Sequence, residues 1–383
     1  MCNGSIMDKL VSFALPLMLS GILQLMFNAV DIIVVGRFSG SEALAAVGST
    51  TALINVFTNL FIGISLGANV LAARFFAAGR KEEMSETVHT SITLALISGI
   101  LMAFVGLVFS KGALELMGTP EDVIGLSTLY MRIYFMGMPF FMLYNYGAAI
   151  LRAVGDTKRP LYFLIIAGVI NAGLNMVLVI VFGLGVAGVG IATVFSQMVS
   201  CVLVLTCLCR TEGSYKLSFS KLSMKGYYLK QIFQVGIPAG IQSTVINFSN
   251  ALLQSSVNSF GSTAMAGYTA ANNILGFLYA SVNAVTQACM SFTSQNYGVG
   301  KLKRMDRVLA DCMILSVVVA VVLGCICYGF GPEILQIYTE DAEVIACGME
   351  ILAYTTITYF LCGWMDLFPG ALRGIGYSAV PMV

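Results

Sequence analysis

Charge is what this chain has least of: Asp, Glu, Lys and Arg make up 10% of its 383 residues, where a soluble globular domain carries about 25%. That shortage excludes a soluble enzyme. The formal net charge is +1, so there is no basic excess of the kind that gathers nucleic acid. Histidine occurs once, as His89, which leaves zinc coordination and imidazole-based nucleophilic catalysis without partners; its position at a cytoplasmic helix start suggests a surface residue. The ten cysteines sit mostly in apolar stretches and lack the paired spacing of a metal site or disulfide framework, so they read as small apolar side chains. A Walker A motif is also missing, since Gly300-Lys301 runs on into Leu302 without the earlier glycine, and ATP is therefore not the direct energy source. The one G-x-G-x-x-G, Gly183 to Gly188, joins two apolar runs and follows no strand, which excludes a dinucleotide fold.

What is present is apolar: 58% hydrophobic residues and a mean hydropathy of +0.88. Runs of about 20 apolar residues, the length that crosses a bilayer, predict ten spans near 12–36, 44–73, 89–109, 128–151, 161–183, 187–208, 234–257, 264–290, 309–330 and 345–369. The first run follows Asp8 and Lys9 and is too long, with no small-residue cleavage site, to be a removable leader. Of the 20 Lys and Arg, only Arg37 and Lys111 fall in loops on one side of the membrane and Arg132 within a span; the others cluster on the opposite side. The positive-inside rule makes that side, with the N-terminus, cytoplasmic. The outer loops are short and acidic, as at Glu333, Glu340, Asp341 and Glu343.

The chain also repeats itself. At an offset of 222, Ala14-Leu15-Pro16 matches Gly236-Ile237-Pro238 and Asn28 matches Asn250. From Gly40-Ser41 and Gly261-Ser262 onward the offset is 221, and it holds through Gly79 with Gly300, Leu151-Arg152 with Leu372-Arg373, Gly155 with Gly376, and Pro160 with Pro381. Six spans, an even number, separate equivalent points, so both halves enter the membrane in the same sense. The fold expected is an all-α polytopic membrane protein of two pseudo-symmetric six-helix bundles. The first lobe is 1–209, the cytoplasmic linker 210–232 and the second lobe 233–383. The first half continues for two spans past Pro160, and symmetry leads us to expect spans eleven and twelve beyond Val383.

Few charges fall within spans: Asp31, Arg132, Asp311, Glu350 and Asp366. A carboxylate at mid-membrane costs about 2.5–3.5 kcal/mol on insertion scales, so each needs a reason. Arg132, Asp311 and Glu350 lie near span ends, where interfacial placement suffices. Asp31 closes a stripe of Ser20, Gln24, Asn28 and Asp31 whose spacings of four, four and three keep it on one helix face. Interhelical hydrogen bonding accounts for the amides, but it suits an acid poorly. The equivalent position in the second half is Leu253, so whatever Asp31 does belongs to the first lobe. The seventh span has Asn247, Asn250, Gln254 and Asn258, and the eighth Asn272, Asn283 and Gln287; such stripes fit either a hydrated cavity or helix packing. Asn171 and Asn175 share a face of span five, and Thr193 lies in span six. Carboxylate, amide and hydroxyl oxygens form the hard donor set that a small cation accepts. In a dry site the carboxylate gains from taking up either a proton or a cation.

In its motifs the chain resembles the multidrug and toxic compound extrusion (MATE) transporters along essentially its whole length. The resemblance rests on Pro16 with Asn28-Ala29-Val30-Asp31 and Val35-Gly36-Arg37, Leu151 to Thr157, Asn171 to Leu174-Asn175, Gly188 to Thr193, and Ala371 to Gly376. It implies two bundles, alternating access, and export of cationic amphiphiles against Na+ or H+ without a further cofactor. It implies a cation site of Asp31, Asn171, Asn175 and Thr193, with Pro16 marking a bend in span one. Gln24, Asn28, Asn247, Asn250, Asn283 and Gln287 are the expected cavity residues. Some relatives have an acid where Asn175 stands, and one branch has a span-seven glutamate absent here; Asp366 is the remaining acid available to the second lobe. The expected setting is a bacterial-type inner membrane, with a monomer in contact with lipid and small molecules only. The rival readings are a lipid-linked precursor flippase, which would favour a cationic cavity, and an integral-membrane transferase, which would need clustered acids, His or Arg at one membrane face.

Overall fold

The computed structural model describes residues 1–258, 260–337 and 341–382, without the side chains of Ser41, Ala52, Ala251, Gln254, Ser255, Asn258 and Ser262. Glu340 and the side chains of Gln254 and Asn258 therefore lie outside the described residues. The protein is helical throughout this range, in the order α1 (Ile6–Phe38), α2 (Ser41–Ala77), α3 (Lys81–Leu116), α4 (Glu121–Met136), α5 (Met138–Ala153), α6 (Lys158–Asn175), α7 (Gly185–Arg210), α8 (Gly226–Asn258), α9 (Ser262–Gly298), α10 (Leu302–Gly329), α11 (Gly331–Gln336), α12 (Ala342–Gly374) and α13 (Ala379–Met382). Eight of the described helices are long and apolar enough to cross a membrane, and the protein is a multi-pass membrane protein. The expected fourth span is instead two 16-residue helices, α4 and α5, which meet at Gly137 ahead of Pro139; proline has no N–H and its ring crowds the preceding turn. The seventh, within α8, is outside the eight because Gln, Ser and Asn interrupt its apolar run. Helix α6 passes into one turn of π-helix, Met176–Val181, directly after Asn175.

The repeat recurs in the backbone. Helices α2 and α9 are both 37 residues long and start 221 residues apart, and α1 and α8 are both 33. The turns after α2 and α9 each use a left-handed glycine, Gly79 (φ 69°) and Gly300 (φ 71°), and those after α5 and α12 use Gly155 and Gly376, both at φ 98°. Other residues are strained at such angles, which is why these glycines recur in register.

The chain packs as two compact units. The first comprises Leu23–Ile241, the second Met1–Ile22 with Gln242–Pro381. Each long helix that opens a half, α1 or α8, thus has its beginning in one unit and its end in the other. In the first unit, Gly236 and Gly240 of α8 meet Gly63 and Gly67 of α2. These are two G-x-x-x-G patterns in backbone contact, the arrangement by which small residues let membrane helices approach. In the second unit, α1 brings Ala14 into one apolar core with Ala284 and Ala288 of α9. These alanines are the repeat equivalents of Gly236, Gly63 and Gly67.

Between α7 and α8 the chain lies docked on the first unit. Leu217 is buried, Tyr215 packs edge-on against Phe76, and Lys225 faces Glu86 at 3.9 Å. This corrects the expectation for His89: it is 3% exposed, not a surface residue, because the linker covers it. The imidazole Nε2 accepts the Ser218 N–H at 3.1 Å, so the proton sits on Nδ1, which donates to the Ser85 carbonyl at 2.7 Å. Replacing His89 by Ala removes the acceptor of the half-buried Ser218 N–H, at a cost of about 1 kcal/mol. We expect faster tryptic cleavage at Lys216, Lys221 and Lys225, read by intact mass against time; unchanged cleavage would show that the linker holds without the histidine.

Candidate functional site

The first unit contains a cavity of about 330 Å³ built around Asp31. Helix α1 supplies Gln24, Phe27, Asn28 and Asp31 to its wall, all within two turns of one face. Helix α6 contributes Gly168 and Asn171, and α7 contributes Thr193, Ser196, Gln197 and Ser200. Asn175 Nδ2 donates to Asp31 Oδ1 and, at 3.2 Å, to Asn171 Oδ1, while the Thr193 hydroxyl lies between the Val189 carbonyl at 3.0 Å and Asp31 Oδ2 at 3.4 Å, sharing its proton between them. Thus Asp31, Asn171, Asn175 and Thr193, from three helices, form one connected cluster. Asn171 and Asn175 are buried, and Asn175 Oδ1 is a buried acceptor with no donor among the described residues. The π-turn begins at the next residue and widens the helix there; such bulges are frequent at functional sites.

The remaining expected residues are placed differently. Gln24 and Asn28 line the cavity, but Asn247, Asn250, Asn283 and Gln287 belong to the second unit. There Asn247 and Asn250 are exposed on α8. Gln287 donates to Asn283 at 2.9 Å, and Asn283 lies 3.5 Å from the Tyr279 hydroxyl. Asp366 is also in the second unit, on α12, two turns before Arg373, whose guanidinium donates to Gln242. Pro16 lies inside the uninterrupted α1, where it removes one backbone donor, and the Ser20 hydroxyl bonds its carbonyl at 2.8 Å.

Several lining residues escaped the sequence reading. Asn55, Thr58 and Asn59 of α2 have i, i+3, i+4 spacing, and Ser196, Gln197 and Ser200 extend the Thr193 face of α7; both patterns were legible as polar stripes. Tyr130, Tyr134, Phe141 and Tyr144 were not, because aromatic residues in an apolar run read as lipid-facing or core. Tyr130 and Tyr134 pack with ring centroids 6.1 Å apart. Asp31 is the only charged residue among the described lining residues.

The MatE family model matches residues 16–177 and again 238–383, with the second match starting 222 residues after the first. The chain belongs to the MATE family. It is 31% identical to the Probable multidrug resistance protein YoeA of Bacillus subtilis, over 99% of this chain and 83% of that protein. Against the Probable multidrug resistance protein NorM of Thermotoga maritima the figures are 26%, 99% and 82%. Among solved structures, an outward-facing multidrug resistance MATE family transporter of the MOP superfamily superposes with a TM-score of 0.94 at 22% identity, covering 100% of this chain and 85% of that one. The MATE proteins are transporters, not enzymes, and this member shares their all-helical fold.

Proposed function

We propose that the protein is a secondary active exporter that carries cationic amphiphilic compounds across the cytoplasmic membrane by alternating access, in exchange for Na+ or H+ at Asp31. In this reading it works as a monomer with its N-terminus in the cytoplasm. The observation that carries it is the Asp31 cluster: a lone carboxylate in a cavity without a basic lining residue among those described, beside the donorless oxygen of Asn175. Buried acceptors are almost always paired, and a bound cation accepts such an oxygen together with the carboxylate. Tyr130, Tyr134, Tyr144 and Phe141 add ring faces that attract organic cations. The names of the relatives, multidrug resistance proteins, support small-molecule drugs as cargo.

The test is efflux of ethidium from proteoliposomes under Na+ and pH gradients imposed separately. Efflux driven by one gradient identifies the ion, and efflux indifferent to both removes the antiport reading. Within the cluster, Thr193→Val removes the hydroxyl oxygen that a bound Na+ would take as a ligand beside the carboxylate. A ligand worth about 1.4 kcal/mol raises the Na+ concentration giving half-maximal efflux about tenfold when it is lost. An unchanged half-maximal concentration would remove Thr193 from the site.

A further inference from the structure

We propose that the contact between Phe27 and Gly168 sets the size of organic cation that reaches Asp31. The inference deepens the reading of the cavity as an export site and rests on it. Phe27 lies one turn before Asp31 on α1, and Gly168 lies one turn before Asn171 and two before Asn175 on α6, so the contact sits directly along the cavity wall from the cation cluster. A Cβ at Gly168 would fall on Cε2, Cζ and Cε1 of the Phe27 ring; the ring rests on bare α6 backbone. Gly168 is buried and Phe27 half-buried, and both line the cavity. Any side chain at position 168 therefore drives the ring away from α6, and the open space beside it is the cavity itself. Glycine here keeps the aromatic wall flat and the passage toward Asp31 wide.

The contact is not part of the Asp31 cluster, because neither residue offers a side-chain oxygen to a cation. Its effect is on the shape of what enters. Gly168→Ala should discriminate against a broad, flat cation more than against a small one, and shortening Phe27 should undo the discrimination.

The experiment measures efflux of ethidium and of radiolabelled tetraethylammonium from proteoliposomes for the wild type, Gly168→Ala, Phe27→Leu and the double variant, each shown to be folded by size-exclusion chromatography. The ethidium-to-tetraethylammonium efflux ratio should fall about tenfold in Gly168→Ala and return to within about threefold of wild type in the double variant, the range in which pocket shape discriminates. Phe27→Leu alone should raise the ratio. An unchanged ratio in Gly168→Ala, or a parallel loss of both cations that Phe27→Leu does not reverse, would overturn the proposal by making the contact one of helix packing alone. A wild-type protein that exports neither cation would overturn it together with the export reading. Normal efflux by Asp31→Asn alongside a shifted ratio in Gly168→Ala would defeat the Asp31 coupling and leave the size filter standing.

Discussion

Gradient-driven efflux by Asp31→Asn should fall by two to three orders of magnitude while the protein still folds. At an effective dielectric of about 20, a cation about 4 Å from a carboxylate gains about 4 kcal/mol, which the neutral amide does not supply. Each 1.4 kcal/mol is about a tenfold change in occupancy. The amide keeps nearly the same shape, so the contacts of Asn175 and Thr193 with position 31 lose their charge but not their packing. The second unit offers no equivalent carboxylate to take over, since the matching residue is Leu253. Efflux in proteoliposomes under each gradient measures the loss, with thermal stability in detergent as the control for folding. Normal transport by this variant would sink the site assignment.

The largest expected loss of stability comes from one methyl group at Gly67. A Cβ there would meet the carbonyl of Ile232 and lie 3.2 Å from the Gly236 nitrogen, backbone atoms of α8 that cannot rotate aside as a side chain would. Gly67→Ala must therefore push α2 and α8 apart along the whole glycine seam, and overpacking of this kind costs about 1–3 kcal/mol or more. Gly48 of the same helix is the matched control, since it is exposed and a Cβ there would meet nothing within 4 Å. Ala is favoured over Gly in a helix by about 0.8–1.0 kcal/mol, so Gly48→Ala should hold or raise the melting temperature while Gly67→Ala lowers it markedly. Equal behaviour of the two variants would mean that α2 and α8 are not in backbone contact.

The polar stripes show how far a sequence carries such a site. Gln24, Asn28 and Asp31 were legible because a helix returns to the same face every three or four residues, and an acid has no cheap place against lipid. Asn171 with Asn175 was legible for the same reason. That these faces meet Thr193 in one cluster was implied only by the family resemblance, because local periodicity carries no information about which helices become neighbours. The aromatic wall of Tyr130, Tyr134 and Phe141 had no sequence signal at all, since the same residues suit lipid, core and cavity. His89 failed in the opposite direction. A solitary polar residue at a helix start reads as solvated until the linker is found lying over it.

By itself, then, the sequence determined that the chain lives in a membrane, that it is all-helical, and that it repeats with an offset of 222 and then 221 residues. Those properties follow from apolar run length, charge scarcity and glycine placement, all of which act within a few turns of chain. Only the tertiary structure decided that α1 and α8 are each shared between the two compact units, and that Phe27 lies on Gly168 beside the Asp31 cluster. These depend on close approach between helices far apart in the chain, where the presence or absence of a single Cβ decides what fits.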